Sequence, residues 1–293
     1  MLEEKQIRTV LVTGATGQLA NEIKELSLAY SGFKFLFTSR QELSIEDYKD
    51  VESFFQNQTI HYCINCAAYT AVDKAEGEKE SAFLINAEAV GNLAKVCKSY
   101  QVKFIHISTD YVYNSEKGIP LKETDAVGPV NVYGSSKLKG EELAINHNPT
   151  ALVIRTSWVY SSFGYNFVKT MLHLFAEKDQ LNVVSDQVGC PTYAADLAKV
   201  IMKFIQQIES GKDLYGIYNY SNSGITNWYE FALAIKEISN SQCTISPVSS
   251  SEFVTPARRP LYSVMDTSKL KEALQIEIPF WKESLKKCLA KLL

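Results

Sequence analysis

Several things are scarce in this chain of 293 residues, and each scarcity removes a class of function. No apolar run approaches the roughly 20 residues that a membrane-spanning helix needs, so no membrane is expected as a partner. The net charge is only −3, too small for the electrostatic footprint of a protein that binds nucleic acid or an anionic surface. Cysteine is sparse, with 6 residues scattered at 63, 66, 97, 190, 243 and 288. Cys63 and Cys66 have C-x-x-C spacing, but they lie inside an apolar strand pattern rather than a turn, with no second Cys/His pair at hand. They read as small buried thiols. The 4 histidines, at 61, 106, 147 and 173, show no ligand spacing, and no metal is expected. The first residues, Met1-Leu2-Glu3-Glu4-Lys5-Gln6, are charged and lead at once into a strand, unlike a secretory signal, which sets the expectation of a cytoplasmic protein.

What remains is an ordinary globular composition, 46% hydrophobic and 22% charged, long enough for a large α/β domain with a smaller partner. Thr9-Val10-Leu11-Val12-Thr13 reads as a strand, followed by Gly14-Ala15-Thr16-Gly17-Gln18-Leu19-Ala20 and a helical pattern to Leu28. Strand, glycine turn and helix form the context of a dinucleotide-binding turn. Gly14 permits the tight bend, and Gly17 lets the backbone approach a pyrophosphate at the helix N-terminus. Ala20 stands where a third glycine is common. The second strand, 33–38, ends at Ser39-Arg40 rather than at an Asp or Glu, which leans towards NADPH while leaving NADH possible. Glu42 and Asp47 further along bear on that preference.

A helix over 45–58, a strand over 61–67 ending in Ala67-Ala68-Tyr69-Thr70, an amphipathic helix over 81–100 and a strand over 102–107 follow. The last strand delivers Ser108-Thr109-Asp110 to the carboxyl edge. After a loop-rich stretch, 114–131, Tyr133 and Lys137 stand one helical turn apart on a common face. A hydroxyl, a phenol and an ammonium converging at a sheet edge suit proton transfer in carbonyl reduction or its reverse. The strand 151–155 brings Trp158 to the same edge, placed to stack on a flat ligand. The expected fold is therefore α/β, a Rossmann-type doubly wound parallel sheet with a smaller C-terminal substrate-binding lobe. Residues 1–155 form the dinucleotide-binding domain, with 192–222 returning to it, and 156–191 plus 223–293 form the lobe. Arg258 and Arg259 offer a grip for a diphosphate.

Seven runs in order carry a resemblance: Gly14-Ala15-Thr16-Gly17-Gln18-Leu19, then 65–76, 108–113, 131–137, 155–160 with Asn166-Phe167, 186–192 and 257–260. The chain resembles the extended short-chain dehydrogenase/reductases, most closely those that reduce a dTDP-linked keto-deoxysugar. The resemblance implies reduction of dTDP-6-deoxy-L-lyxo-4-hexulose to dTDP-L-rhamnose. It makes Tyr133 the proton donor, has Lys137 bind the nicotinamide ribose and lower the Tyr133 pKa, and has Thr109 hydrogen-bond the substrate oxygen. It puts Thr70, Asp110 and Trp158 against the sugar nucleotide. Gly14, Thr16, Gly17, Gln18 and Leu19 hold the pyrophosphate, and Ala67, Ala68 and Tyr69 line the cofactor. Ala20 and the Ser39-Arg40 pair depart from the commonest pattern of the family, and it is the strand-end position that puts Ser39 and Arg40 at the adenosine ribose. A homodimer is compatible with the resemblance. The alternatives are another nucleotide-sugar reductase, epimerase or dehydratase, and a non-catalytic NADP-binding subunit of a methionine adenosyltransferase.

Overall fold

The structure is a computed structural model describing residues 7–114 and 118–293, so part of the loop expected over 114–131 lies outside the described residues. Six β-rich runs form one parallel sheet: β1 (Arg8–Thr13), β2 (Phe33–Thr38), β3 (Tyr62–Asn65), β4 (Lys103–Thr109), β5 (Leu152–Thr156) and β6 (Gly216–Tyr220). Their order across the sheet is β6-β5-β4-β3-β1-β2. β3 and β5 are buried along their whole length, as strands covered on both faces must be.

The covering helices are α1 (Gln18–Ser27), α2 (Tyr48–Asn57), α3 (Ala89–Ser99), α4 (Val132–His147) and α5 (Ala194–Glu209). Val10, Val12, Ile64 and Ile154 pack under α1 and α5 on one face, while Leu11, Cys63 and Phe104 pack under α2 and α3 on the other. The chain turns from β1 outward to β2, then back past β1 to β3, so β1 and β3 leave a crevice at their carboxyl ends. Ligands of open α/β sheets bind at such a reversal. Residues 194–220 thus add a helix and a strand to the sheet layer. So does a later stretch not anticipated from the sequence: Leu270, Leu274 and Ile278 join the core under α1 and α5. A separate apolar cluster of Tyr160, Val168, Phe231, Trp281 and Leu285 packs around the strands Gln180–Val184 and Thr244–Val248, which pair in parallel.

The helix expected over 81–100 is not continuous. A π-helical turn, Leu84–Glu88, interrupts it between Lys79–Phe83 and α3. The turn aims Asn86 at the backbone after β3, where its Oδ1 accepts from the Tyr69 N–H at 2.8 Å and its amide donates to the Tyr69 carbonyl at 3.0 Å. Among the described residues no helix is long and apolar enough to cross a membrane.

Candidate active site

A cleft of about 670 Å³ opens over the β1/β3 crevice. Its first wall is backbone. Gly14 has φ +69°, and a Cβ there would lie 2.7 Å from the Ala67 nitrogen, so the turns after β1 and β3 touch main chain to main chain. A side chain at Gly14 fails on both conformation and space. Gly17 caps α1 without a side-chain hydrogen bond, and no acidic residue occupies the first turn of that helix. The leading N–H groups are thereby left for an anion. Thr16, Gln18, Leu19, Cys66, Ala67 and Ala68 complete this wall, and the donor set and the backbone cradle fit the pyrophosphate of a dinucleotide.

At the outer end the cleft is lined by Arg40, Leu43, Ile45 and Glu46. The Arg40 guanidinium pairs with Glu46 at 2.9 Å. Ser39 does not line the cleft, because its N–H and hydroxyl both donate to Glu42, each at 2.8 Å. Tyr69 is displaced similarly: its phenol donates to Glu78 at 2.8 Å, away from the cleft, while Thr70 remains in the lining. Neither Arg258 nor Arg259 reaches the cleft. Arg259 is spent on Asp73, with bonds of 2.8 and 3.0 Å, and Arg258 is exposed.

The inner end holds Thr109, Asp110, Tyr133, Lys137 and Trp158. Asn131 caps α4, its Oδ1 accepting from the Gly134 N–H at 2.7 Å. A Cβ on Gly134 would lie 2.3 Å from the Tyr111 carbonyl oxygen, so only glycine lets α4 start against the turn after β4. That approach brings Tyr133 beside Thr109. Burial pushes the Tyr133 phenol up to about 12, with Thr109 opposing and the Asp110 carboxylate adding to the rise. Among the described residues no hydrogen bond joins Lys137 to the Tyr133 phenol. Lys137, 2% exposed, instead donates to the Ile107 carbonyl at 2.7 Å and faces His106 Nε2 at 3.3 Å. Burial lowers the lysine to about 8, against the pull of Glu141 one turn on.

Asp110 accepts from the Thr109 hydroxyl through Oδ1 at 3.1 Å, while its buried Oδ2 has no partner. Burial raises this carboxyl to about 7. Trp158 adopts φ +47° and stacks on Trp228, with ring centroids 3.7 Å apart and planes 13° from parallel. A non-glycine residue in that conformation is strained, and such strain gathers at ligand sites. Trp228 also lines the cleft, and nothing in its local sequence announced it, since its nearest site neighbours are distant in the chain. His106 did carry a signal: a polar residue inside an apolar strand, on the same face as Ser108.

A glycine cradle at a sheet reversal, running into a Thr/Tyr/Lys set, defines an oxidoreductase of the short-chain dehydrogenase/reductase class with a dinucleotide cofactor. The profile of the family described as "RmlD substrate binding domain" matches residues 8–293. A dTDP-4-dehydrorhamnose reductase of Sinorhizobium fredii is 40% identical, over 94% of this chain and 95% of its own. Two solved structures superpose with TM-scores of 0.92, each covering 97% of this chain and 99% of its own. One is a dTDP-4-dehydrorhamnose reductase from Clostridium acetobutylicum, 38% identical, and the other a dTDP-4-dehydrorhamnose reductase from Bacillus anthracis in complex with NADP, 36% identical. The chain belongs to the RmlD family of dTDP-4-dehydrorhamnose reductases.

Proposed function

We propose that the protein reduces the 4-keto group of dTDP-6-deoxy-L-lyxo-4-hexulose to give dTDP-L-rhamnose, using NADPH. The observation that carries this reading is the continuity of one cleft from the glycine cradle of α1 to Thr109, Tyr133 and Lys137. When bound, the dihydronicotinamide supplies the hydride. Tyr133 supplies the proton: a phenol held near 12 is fully protonated at neutral pH, yet acidic enough to quench a developing alkoxide. The carbonyl carbon gains the hydride, its oxygen gains the phenolic proton, and solvent later restores the phenol. Thr109 Oγ1 accepts from the Tyr111 N–H at 3.2 Å, which fixes the hydroxyl beside the reacting oxygen. The Lys137 ammonium binds the nicotinamide ribose and favours the phenolate left after transfer. The unpartnered Asp110 Oδ2 takes a sugar hydroxyl, and Trp158 on Trp228 packs against the sugar nucleotide. All 6 cysteines are free, which suits a reducing cytoplasm.

The test is loss of reduced-cofactor absorbance with purified protein and enzymatically prepared keto-sugar, with the product identified as dTDP-L-rhamnose. Cofactor binding without turnover would refute the reading. A second experiment addresses the outer end of the cleft. Glu46 holds Arg40, so Glu46→Ala releases a guanidinium for a 2′-phosphate. The NADPH/NADH ratio of kcat/KM is expected to rise about fivefold, the scale of one rim charge. Arg40→Ala should lower the same ratio. An unmoved ratio in both variants would place the 2′ position elsewhere.

A further inference from the structure

Behind Lys137 lies a buried polar chain that the reaction as described leaves unused. Thr13, Asn65 and His106 are each no more than 1% exposed. The Thr13 hydroxyl donates to Asn65 Oδ1 at 2.7 Å, and the Ala67 N–H donates to the same oxygen at 3.2 Å. Asn65 Nδ2 faces His106 Nδ1 at 3.2 Å, and His106 Nε2 faces Lys137 Nζ at 3.3 Å.

The donors and acceptors along this chain can be assigned by elimination. A backbone N–H only donates, so the Asn65 oxygen must lie on the Ala67 side. The amide nitrogen is then turned to His106 and donates, which makes Nδ1 an acceptor. Burial keeps His106 well below the usual histidine range, so the ring is neutral and carries one proton. With Nδ1 accepting, that proton sits on Nε2 and points at Lys137 Nζ. A free amine can accept it, whereas an ammonium can only oppose it.

We infer that Thr13, Asn65 and His106 are positioning residues that fix the Nε2–H tautomer of His106 and thereby weaken the hold of Lys137 on its third proton. The other groups facing Lys137 do not supply this effect. Glu141, on the same helix, favours the ammonium, and Cys66, just past β3, is a half-buried thiol that desolvation holds above its usual range. Burial already brings Lys137 down to about 8, and the tautomer works in the same direction. A lysine that titrates near the working pH can release and recover a proton in each cycle, which a surface lysine cannot. What Lys137 does with that proton rests on the reductase reading above, but the tautomer can be read without turnover.

The experiment has two arms. Long-range 15N–1H correlation spectra of protein labelled at its 4 histidines distinguish the neutral tautomers, with a His106→Gln sample giving the assignment. The wild type is expected to show His106 neutral with its proton on Nε2. A proton on Nδ1, or a ring that titrates near neutral pH, overturns the inference whatever the activity. The second arm is the alkaline limb of the pH dependence of NADPH oxidation, which falls as Lys137 loses its charge. Asn65→Asp presents an acceptor to Nδ1, moves the ring proton to that side and turns Nε2 into an acceptor for the ammonium. The limb is expected to move up by about one pH unit. His106→Gln, whose carbonyl oxygen can also accept from the ammonium, should move it in the same direction and covers the case in which the buried carboxylate prevents folding. A limb unmoved in both variants overturns the inference, because a merely structural role would change rate or stability and leave the limb in place.

Discussion

Tyr133→Phe is expected to lower kcat by about a thousandfold, within the range that a lost general acid commands, while NADPH binding stays within a few-fold of wild type. The variant deletes one oxygen and keeps the ring. Its edge-to-face contact with Tyr111, at 5.8 Å and 80°, survives, and so does the start of α4. The loss is therefore chemical rather than architectural. Steady-state kinetics with the keto-sugar, beside fluorescence titration with NADPH, separate the two. A change confined to KM would demote the phenol to a binding group and leave the proton source unidentified.

The second large effect concerns stability. Glu141 and Arg155 form a buried pair, with side chains 2% and 3% exposed and a closest approach of 2.6 Å. The Ser108 hydroxyl also donates to Glu141, and Arg155 Nη1 donates to the Tyr113 phenol at 2.7 Å. Glu141→Ala leaves the guanidinium in the interior with only that phenol and the face of its ring, 4.8 Å away. Removing one partner of a buried pair costs about 3–5 kcal/mol, a large share of the roughly 5–15 kcal/mol that holds a domain folded. Urea denaturation should show an unfolding free energy lowered by that amount, read as a lower midpoint at unchanged slope. The double variant Glu141→Leu with Arg155→Met should recover most of the loss, since apolar groups of similar volume replace a buried pair at little cost. A single variant as stable as wild type would mean that water reaches Arg155.

The two predictions draw on features of different legibility. The strand before Ser108, the helical spacing of Tyr133 and Lys137, and the glycine turn at Gly14 are local patterns with fixed periods, and they were readable in the sequence. So was the doubly wound sheet, because strands and helices alternate through β5. What the sequence hid depends on partners brought in from elsewhere. Ser39 and Tyr69 follow the carboxyl ends of β2 and β3, yet their hydroxyls bond to Glu42 and Glu78 rather than lining the cleft. Arg259 looked free for a phosphate until the fold set it against Asp73, a neighbour only in space. The π turn at 84–88 could not be read from periodicity, since it comes with bonds between Asn86 and the backbone at Tyr69, residues that only the fold brings together. Helical spacing puts Lys137 on the Tyr133 face of α4, but the burial that lowers its own titration comes from packing by other parts of the chain and has no local signal.

The stacked indoles of the cleft have an optical consequence. The chain has 3 tryptophans; two of them, Trp158 and Trp228, lie face to face in the cleft wall, and Trp281 is enclosed in the separate apolar cluster, 2% exposed. Two chromophores at 3.7 Å share their excited states, and the shared transition depends steeply on their mutual angle. The far-ultraviolet circular dichroism, where the strong indole transitions lie, is therefore expected to carry a couplet that changes when the stacked pair is disturbed.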